Sequence, residues 1–246
     1  MKNSEMKNSR TLQAGFSLIE LMVSILILVI VMGAVFKQVN NVQKNSRSES
    51  LKMDLTQEDR SFVDQFARDL HMAGYPTSRL YQVGATGAKV QPTDNTVALG
   101  LVEATPTWIR FEGDVYGDGL VYSVLYRYFQ VDPNNPPDPN CPCLRRSVTQ
   151  KIQGGDPVTG QSNPVYYTEV QNVIDPTGMA QALFTYYRAD GTPVPVGAGV
   201  NLNTAPGTIQ LIDAVKVNLN TRSRYFDPQS RQQAVHSIST IAELEN

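Results

Sequence analysis

Between Phe16 and Val35 the chain runs for 20 residues with a single charged side chain, Glu20. A helix rising about 1.5 Å per residue carries such a run over roughly 30 Å, the thickness of a bilayer's hydrocarbon core. The segment must lie in a membrane or against other apolar helices, and the rest of the chain is organised behind it. Glu20 sits inside the run and not at its flank. An ionised carboxylate there costs about 2.5 to 3.5 kcal/mol on insertion scales, so it calls for a partner. Upstream, Met1 to Gly15 contains Lys2, Lys7 and Arg10 and ends in the small pair Ala14-Gly15, as a basic leader would. A cut between Gly15 and Phe16 would leave a new amine about one helical turn from Glu20. A second copy, shifted by about a turn, would bring its own amine to this carboxylate.

Gly15-Phe16-Ser17-Leu18-Ile19-Glu20 followed by an apolar helix resembles the class III signal of type IV pilins and pseudopilins. The resemblance implies that a prepilin peptidase cuts after Gly15 and methylates the amine of Phe16, and that Glu20 helps draw subunits into a filament. It also implies a single-pass inner-membrane subunit whose domain is periplasmic before assembly and part of an extracellular pilus afterwards. An ordinary secretory signal has a shorter apolar region with small residues after it, whereas here they come before. The repeat of Met1-Lys2-Asn3-Ser4 in Met6-Lys7-Asn8-Ser9 leaves open a start at Met6, with the same cleavage site.

Many members of the family carry a Pro where this chain has Lys37. The departure points away from the bulk subunit, toward minor pilins and pseudopilins. Trp108 to Phe129, Leu144-Arg145-Arg146, Ala182 to Gly191 and Val215 to Leu219 look like blocks of PilW-type minor pilins. What this implies is a minor pilin that takes part in pilus assembly or initiation, near the tip. Its implied partners are other minor pilins, the major pilin, the prepilin peptidase and the inner-membrane assembly platform. A type II secretion pseudopilin of the GspJ type and a pilin-anchored adhesin are the alternatives.

Beyond Val35 the pattern stays helical but becomes polar. Leu51, Leu55, Phe62, Phe66, Leu70 and Ala73 recur at mostly three-, four- or seven-residue spacing, and no Pro interrupts Phe16 to Tyr75. This predicts one long helix ending near Met72, with Gly74 as its stop and Pro76 beyond it. The Asn- and Ser-rich stretch Asn40 to Ser50 predicts a bend or fray. From Thr96 the period changes to two, with strands expected at Thr96–Val102, Thr107–Glu112, Leu120–Val131, Leu144–Val148, Ala182–Arg188, Pro193–Val196, Ile209–Leu219 and Val235–Leu244. Asp132 to Cys143 is too rich in Pro to be a central strand and reads as a surface loop. A long helix followed only by strands predicts an α+β domain whose antiparallel sheet packs on the helix. The expected divisions are residues 1–15 leader, 16–35 membrane or filament-core helix, 36–75 its amphipathic continuation and 76–246 a strand-rich extracytoplasmic domain.

The chain has 246 residues and a net charge of −2; a leader with three basic residues and Glu5 takes +2 with it and leaves −4. No basic surplus points to nucleic acid. The two cysteines, Cys141 and Cys143, flank Pro142. A local disulfide pinning the loop is the preferred reading, with two free thiols or half a metal site as alternatives. Asp114 and Asp118 in Gly113-Asp-Val-Tyr-Gly-Asp-Gly119 make a weak calcium candidate. An EF-hand loop would want Asp or Asn at Tyr116 and Glu at Leu125, so a hairpin turn is preferred. His71 and His236 have no nucleophile or metal motif beside them, and no enzymatic activity and no cofactor are expected. The tyrosines of Leu120 to Val131, Tyr166-Tyr167 and Tyr186-Tyr187 are read as sheet-face and core residues before an adhesive surface.

Overall fold

The computed structural model describes residues 17–76, 93–131, 141–176 and 182–244. It is α+β, a long N-terminal helix whose C-terminal part packs against antiparallel sheet. The cleavage residues Gly15 and Phe16 and most of the Pro-rich loop, 132–140, lie outside the described residues. The chain divides into two compact units, Met1–Arg47 and Ser48–Asn246.

Helix α1 spans Leu18–His71, 54 residues. No break occurs in the Asn- and Ser-rich stretch where a bend or fray was expected, although the boundary between the two units falls within it. Helix propensity there is weak by only tenths of a kcal/mol per residue, too little to break a helix extended on both sides. In the second unit its inner face buries Leu55, Phe62, Val63, Phe66 and Leu70. Gly74, at φ +83°, then turns the chain away, a conformation in which a Cβ would be strained.

The strands are β1 (Gly100–Ala104), β2 (Trp108–Gly113), β3 (Tyr122–Phe129), β4 (Cys143–Gln150), β5 (Tyr167–Val170), β6 (Phe184–Tyr187), β7 (Pro193–Val194), β8 (Val200–Asn201), β9 (Ala214–Phe226) and β10 (Gln233–Glu243). Among the described residues they form two sheets, in the orders β5-β4-β3-β2-β1-β8 and β10-β9-β6-β7. The sequence reading expects a single sheet and so misses this division. Tyr186 of β6 joins the sheets: its hydroxyl donates to the carbonyl of Thr105 (2.8 Å) and accepts from that residue's N–H (3.1 Å) in the β1–β2 turn. Phe66 of the helix meets both, with ring centroids 5.3 Å from Tyr126 of β3 and 5.7 Å from Phe184 of β6. Each such fully buried aromatic contributes roughly 1.5 to 3 kcal/mol by leaving water.

Several strand limits differ from expectation. Thr96 to Leu99 does not start β1, because Asp94 accepts from the N–H and hydroxyl of Thr96 and holds a turn. Ile209, the expected start of a strand, instead ends a short helix, α2 (Pro206–Ile209), and β9 begins only at Ala214. β9 continues past Leu219 to Phe226, and β5 and β8 have no counterpart in the expected set.

Candidate assembly interface

In the first unit every described residue is helical or one step from it, and the apolar side chains are exposed all round, from Leu18 (78%) and Ile19 (73%) to Phe36 (66%). A helix apolar on every side is stable only inside a bilayer or among other apolar surfaces. α1 is long and apolar enough there to cross a membrane. Glu20 occupies its first turn, where the positive end of the helix dipole favours a carboxylate. Ser24 donates its hydroxyl to the Glu20 carbonyl (2.8 Å), so this hydroxyl is satisfied within the helix. No salt bridge reaches the Glu20 carboxylate among the described residues.

In the second unit the other residues singled out from the sequence fall into separate places. Asp114 and Asp118 shape the β2–β3 turn. The carboxylate of Asp114 accepts from the N–H groups of Asp118 (3.1 Å) and Gly119 (2.8 Å). That of Asp118 accepts from the N–H of Leu120 (3.0 Å) and the hydroxyl of Tyr122 (2.7 Å). The bond with Tyr122 holds Asp118 below the usual carboxylate range and pushes the Tyr122 phenol up to about 12. Both acids thus close a hairpin. Cys141 and Cys143 are joined in a disulfide at the edge of β4, and the Arg145 guanidinium lies 3.7 Å from the Cys141 sulfur. Tyr126 and Tyr186 are fully buried, while Tyr167 is exposed.

His236 is brought to a partner that sequence reasoning missed. Its Nδ1 lies 2.5 Å from a carboxylate oxygen of Asp59, which also accepts from the Thr221 hydroxyl (2.8 Å). Burial pushes Asp59 above its ordinary range, partly offset by these two bonds. A second buried acid of the helix, Asp69, accepts from the Tyr126 hydroxyl (2.7 Å), Arg146 Nε (2.6 Å) and Gln65 (2.7 Å). A third pair, Lys151 and Glu112, meets at 2.7 Å with both side chains wholly buried. The helical pattern did hold a signal for the first two. Asp59 and Asp69 fall on the stripe of Leu55, Phe62, Phe66 and Leu70, and an acid on a buried stripe needs a donor. Asp59 and Asp69 clamp the helix to the sheets, while the Lys151–Glu112 pair joins strand ends; groups of three or more metal-binding side chains are absent among the described residues.

Residues 10–36 match the family model for the prokaryotic N-terminal methylation motif. The match takes in the leader junction, Glu20 and the whole apolar run, and ends before the strand-rich domain. No curated protein and no solved structure matches the chain. The chain therefore carries a prepilin-type methylation motif on a membrane-capable helix, ahead of an α+β domain.

Proposed function

We propose that this chain is a minor pilin of the PilW type, cut between Gly15 and Phe16, methylated on Phe16 and built into a type IV pilus near its tip to help start assembly. Before assembly α1 anchors it in the inner membrane with the domain in the periplasm. During assembly the run to Val35 leaves lipid for the helical core of the filament, and the Glu20 carboxylate pairs with the amino terminus of a neighbouring subunit. The strand-rich domain then meets other minor pilins and the major pilin. Its role is structural and not catalytic.

The observation that carries this reading is Glu20, one acid in an apolar run within a matched methylation motif. The pairing is favourable because the charge is unpaired in lipid and paired in the filament. Lys37 in place of the family's Pro supports a low-copy subunit, and it fits a secretion pseudopilin of the GspJ type equally well.

Replacing Glu20→Ala tests the role. Cleavage after Gly15, read by the size of the chain and the methylated amine, should persist, while incorporation into surface pili is lost. Unchanged piliation with full incorporation would sink the assembly role. Intact pili with lost protein secretion would assign the chain to a secretion system instead.

A further inference from the structure

The β9–β10 hairpin ends in an exposed group of side chains that the assembly reading does not use. Tyr225 is 65% exposed, Phe226 69% and Val235 62%, and the exposed Arg222, Arg224 and Arg231 stand among them. These are not the side chains of a slack loop. Asp227 accepts from the N–H of Gln229 (2.9 Å) and the hydroxyl of Ser230 (2.9 Å), and its own N–H donates to the Gln232 carbonyl (2.8 Å). The Ser223 hydroxyl donates to the Tyr225 carbonyl (2.7 Å) and accepts from the N–H of Ala234 (2.9 Å). A turn held this tightly presents its rings outward in a fixed arrangement. The acid of the turn is engaged within it, so the outward charge of the tip comes from the three arginines. Arg224 lies over the Tyr225 ring, 5.9 Å from its centroid. On the adjoining helix, Glu49 is paired with Lys52 (3.7 Å).

Within the second unit the contacts of the hairpin run in order along α1. Thr221 and His236 meet Asp59, and Ser48 is close enough to Asp227 of the turn to help hold its carboxyl below the usual range. Ser48 is where this unit begins, while Tyr116, in the β2–β3 turn, lines a cavity of about 650 Å³ with His71 and Met72 at the other end of the helix. Twelve residues of chain lie between Val35 and Ser48. An aromatic and arginine tip on a short tether from a membrane anchor has the chemistry of the lipid headgroup layer. Rings with one polar end settle there, and cations are drawn to anionic lipids.

We propose that the hairpin tip, through Tyr225, Phe226, Val235, Arg222, Arg224 and Arg231, docks on the anionic headgroup surface of the membrane while the chain waits to be assembled. The docking is released when the subunit leaves the bilayer. It rests on the reading of α1 as a membrane anchor.

The test uses the full chain in lipid nanodiscs containing phosphatidylglycerol and a lipid with a spin-labelled headgroup. The single tryptophan is removed by Trp108→Phe, and a reporter is introduced by Phe226→Trp or, as a control at the far end, by Tyr116→Trp. Far-UV circular dichroism checks that each variant is folded. The reporter at 226 should lose most of its emission in labelled discs and the one at 116 little. Arg224→Glu with Arg231→Glu, or high salt, should restore the emission at 226. A chain that enters the discs with both reporters equally quenched, or with neither quenched, overturns the docking and leaves the anchor standing. A chain that fails to enter discs overturns the anchor and the docking with it.

Discussion

Lys151 and Glu112 show what single residues do in this fold. Both are removed from water, with the ammonium 2.7 Å from the carboxylate and 3.0 Å from the Val97 carbonyl. The same carboxylate oxygen accepts from the N–H of Leu99 (3.2 Å), so the pair ties the strand edges at β1, β2 and the end of β4. Burial still pushes Glu112 above its ordinary range despite Lys151. Lys151→Met removes one charge and strands the other, which should cost about 3 to 5 kcal/mol. The double variant with Glu112→Leu strands neither, and it should recover most of that loss in thermal unfolding of the detergent-solubilised chain. A double variant as damaged as the single would contradict the desolvation account. This pair was not legible in the sequence. Lys151 follows β4 beside a turn-rich stretch and Glu112 ends a strand, so nothing in their spacing announces burial. Asp59 and Asp69 were legible in principle, because a helical stripe has a fixed period and they interrupt it.

At the scale of elements, the end of α1 and the β2–β3 hairpin are fitted backbone to backbone. Ala73 bridges Gly113, the N–H of Gly74 donates to the Glu112 carbonyl (2.8 Å) and the N–H of Asp114 to that of Tyr75 (2.9 Å). A Cβ on Gly113 would lie 2.2 Å from the carbonyl oxygen of Met72, and the obstructing atoms are backbone that cannot rotate out of the way. Gly113→Ala should therefore cost about 1 to 3 kcal/mol, as overpacking does. The reference is Gly207→Ala in α2, where nothing lies within 4 Å and the backbone is not left-handed. That change should be neutral or stabilise by up to about 1 kcal/mol, through the entropy of the unfolded chain. A melting temperature lowered equally by both would show that the close approach carries no special load. The long reach of β9 follows a similar rule. Residues 220–226 lack an apolar alternation and are paired by backbone, with Arg222 N–H on the Asn172 carbonyl (3.1 Å) and Ile174 N–H on that of Asn220 (2.8 Å). Such pairing depends on where a distant segment arrives, which periodicity does not report.

At the scale of the molecule, the division at Arg47/Ser48 separates an apolar helix from a unit with its own core of helix face and two sheets. A chain begun at Ser48 should be soluble and should unfold cooperatively, because Phe62, Phe66 and Leu70 and all their buried contacts stay with it. Circular dichroism melting and gel filtration check this; aggregation, or a melt without a cooperative transition, would mean that the apolar helix is needed for folding. The sequence by itself determined the apolar run with its one acid, the methylation motif, the long helix and the α+β class. Each of these is written in local period, composition or a short motif, and local patterns need no partner to be read. Only the tertiary structure decided that the strands part into two sheets, that Phe66 bridges them and that Asp59, Asp69 and Glu112 find their cations and hydroxyls. Those outcomes depend on residues 39 to 177 positions apart meeting in space, and no local spacing encodes such a meeting. The apolar helix ahead of that core remains the part most fully told by sequence, since its length and its apolar side chains on every face are local properties of the chain.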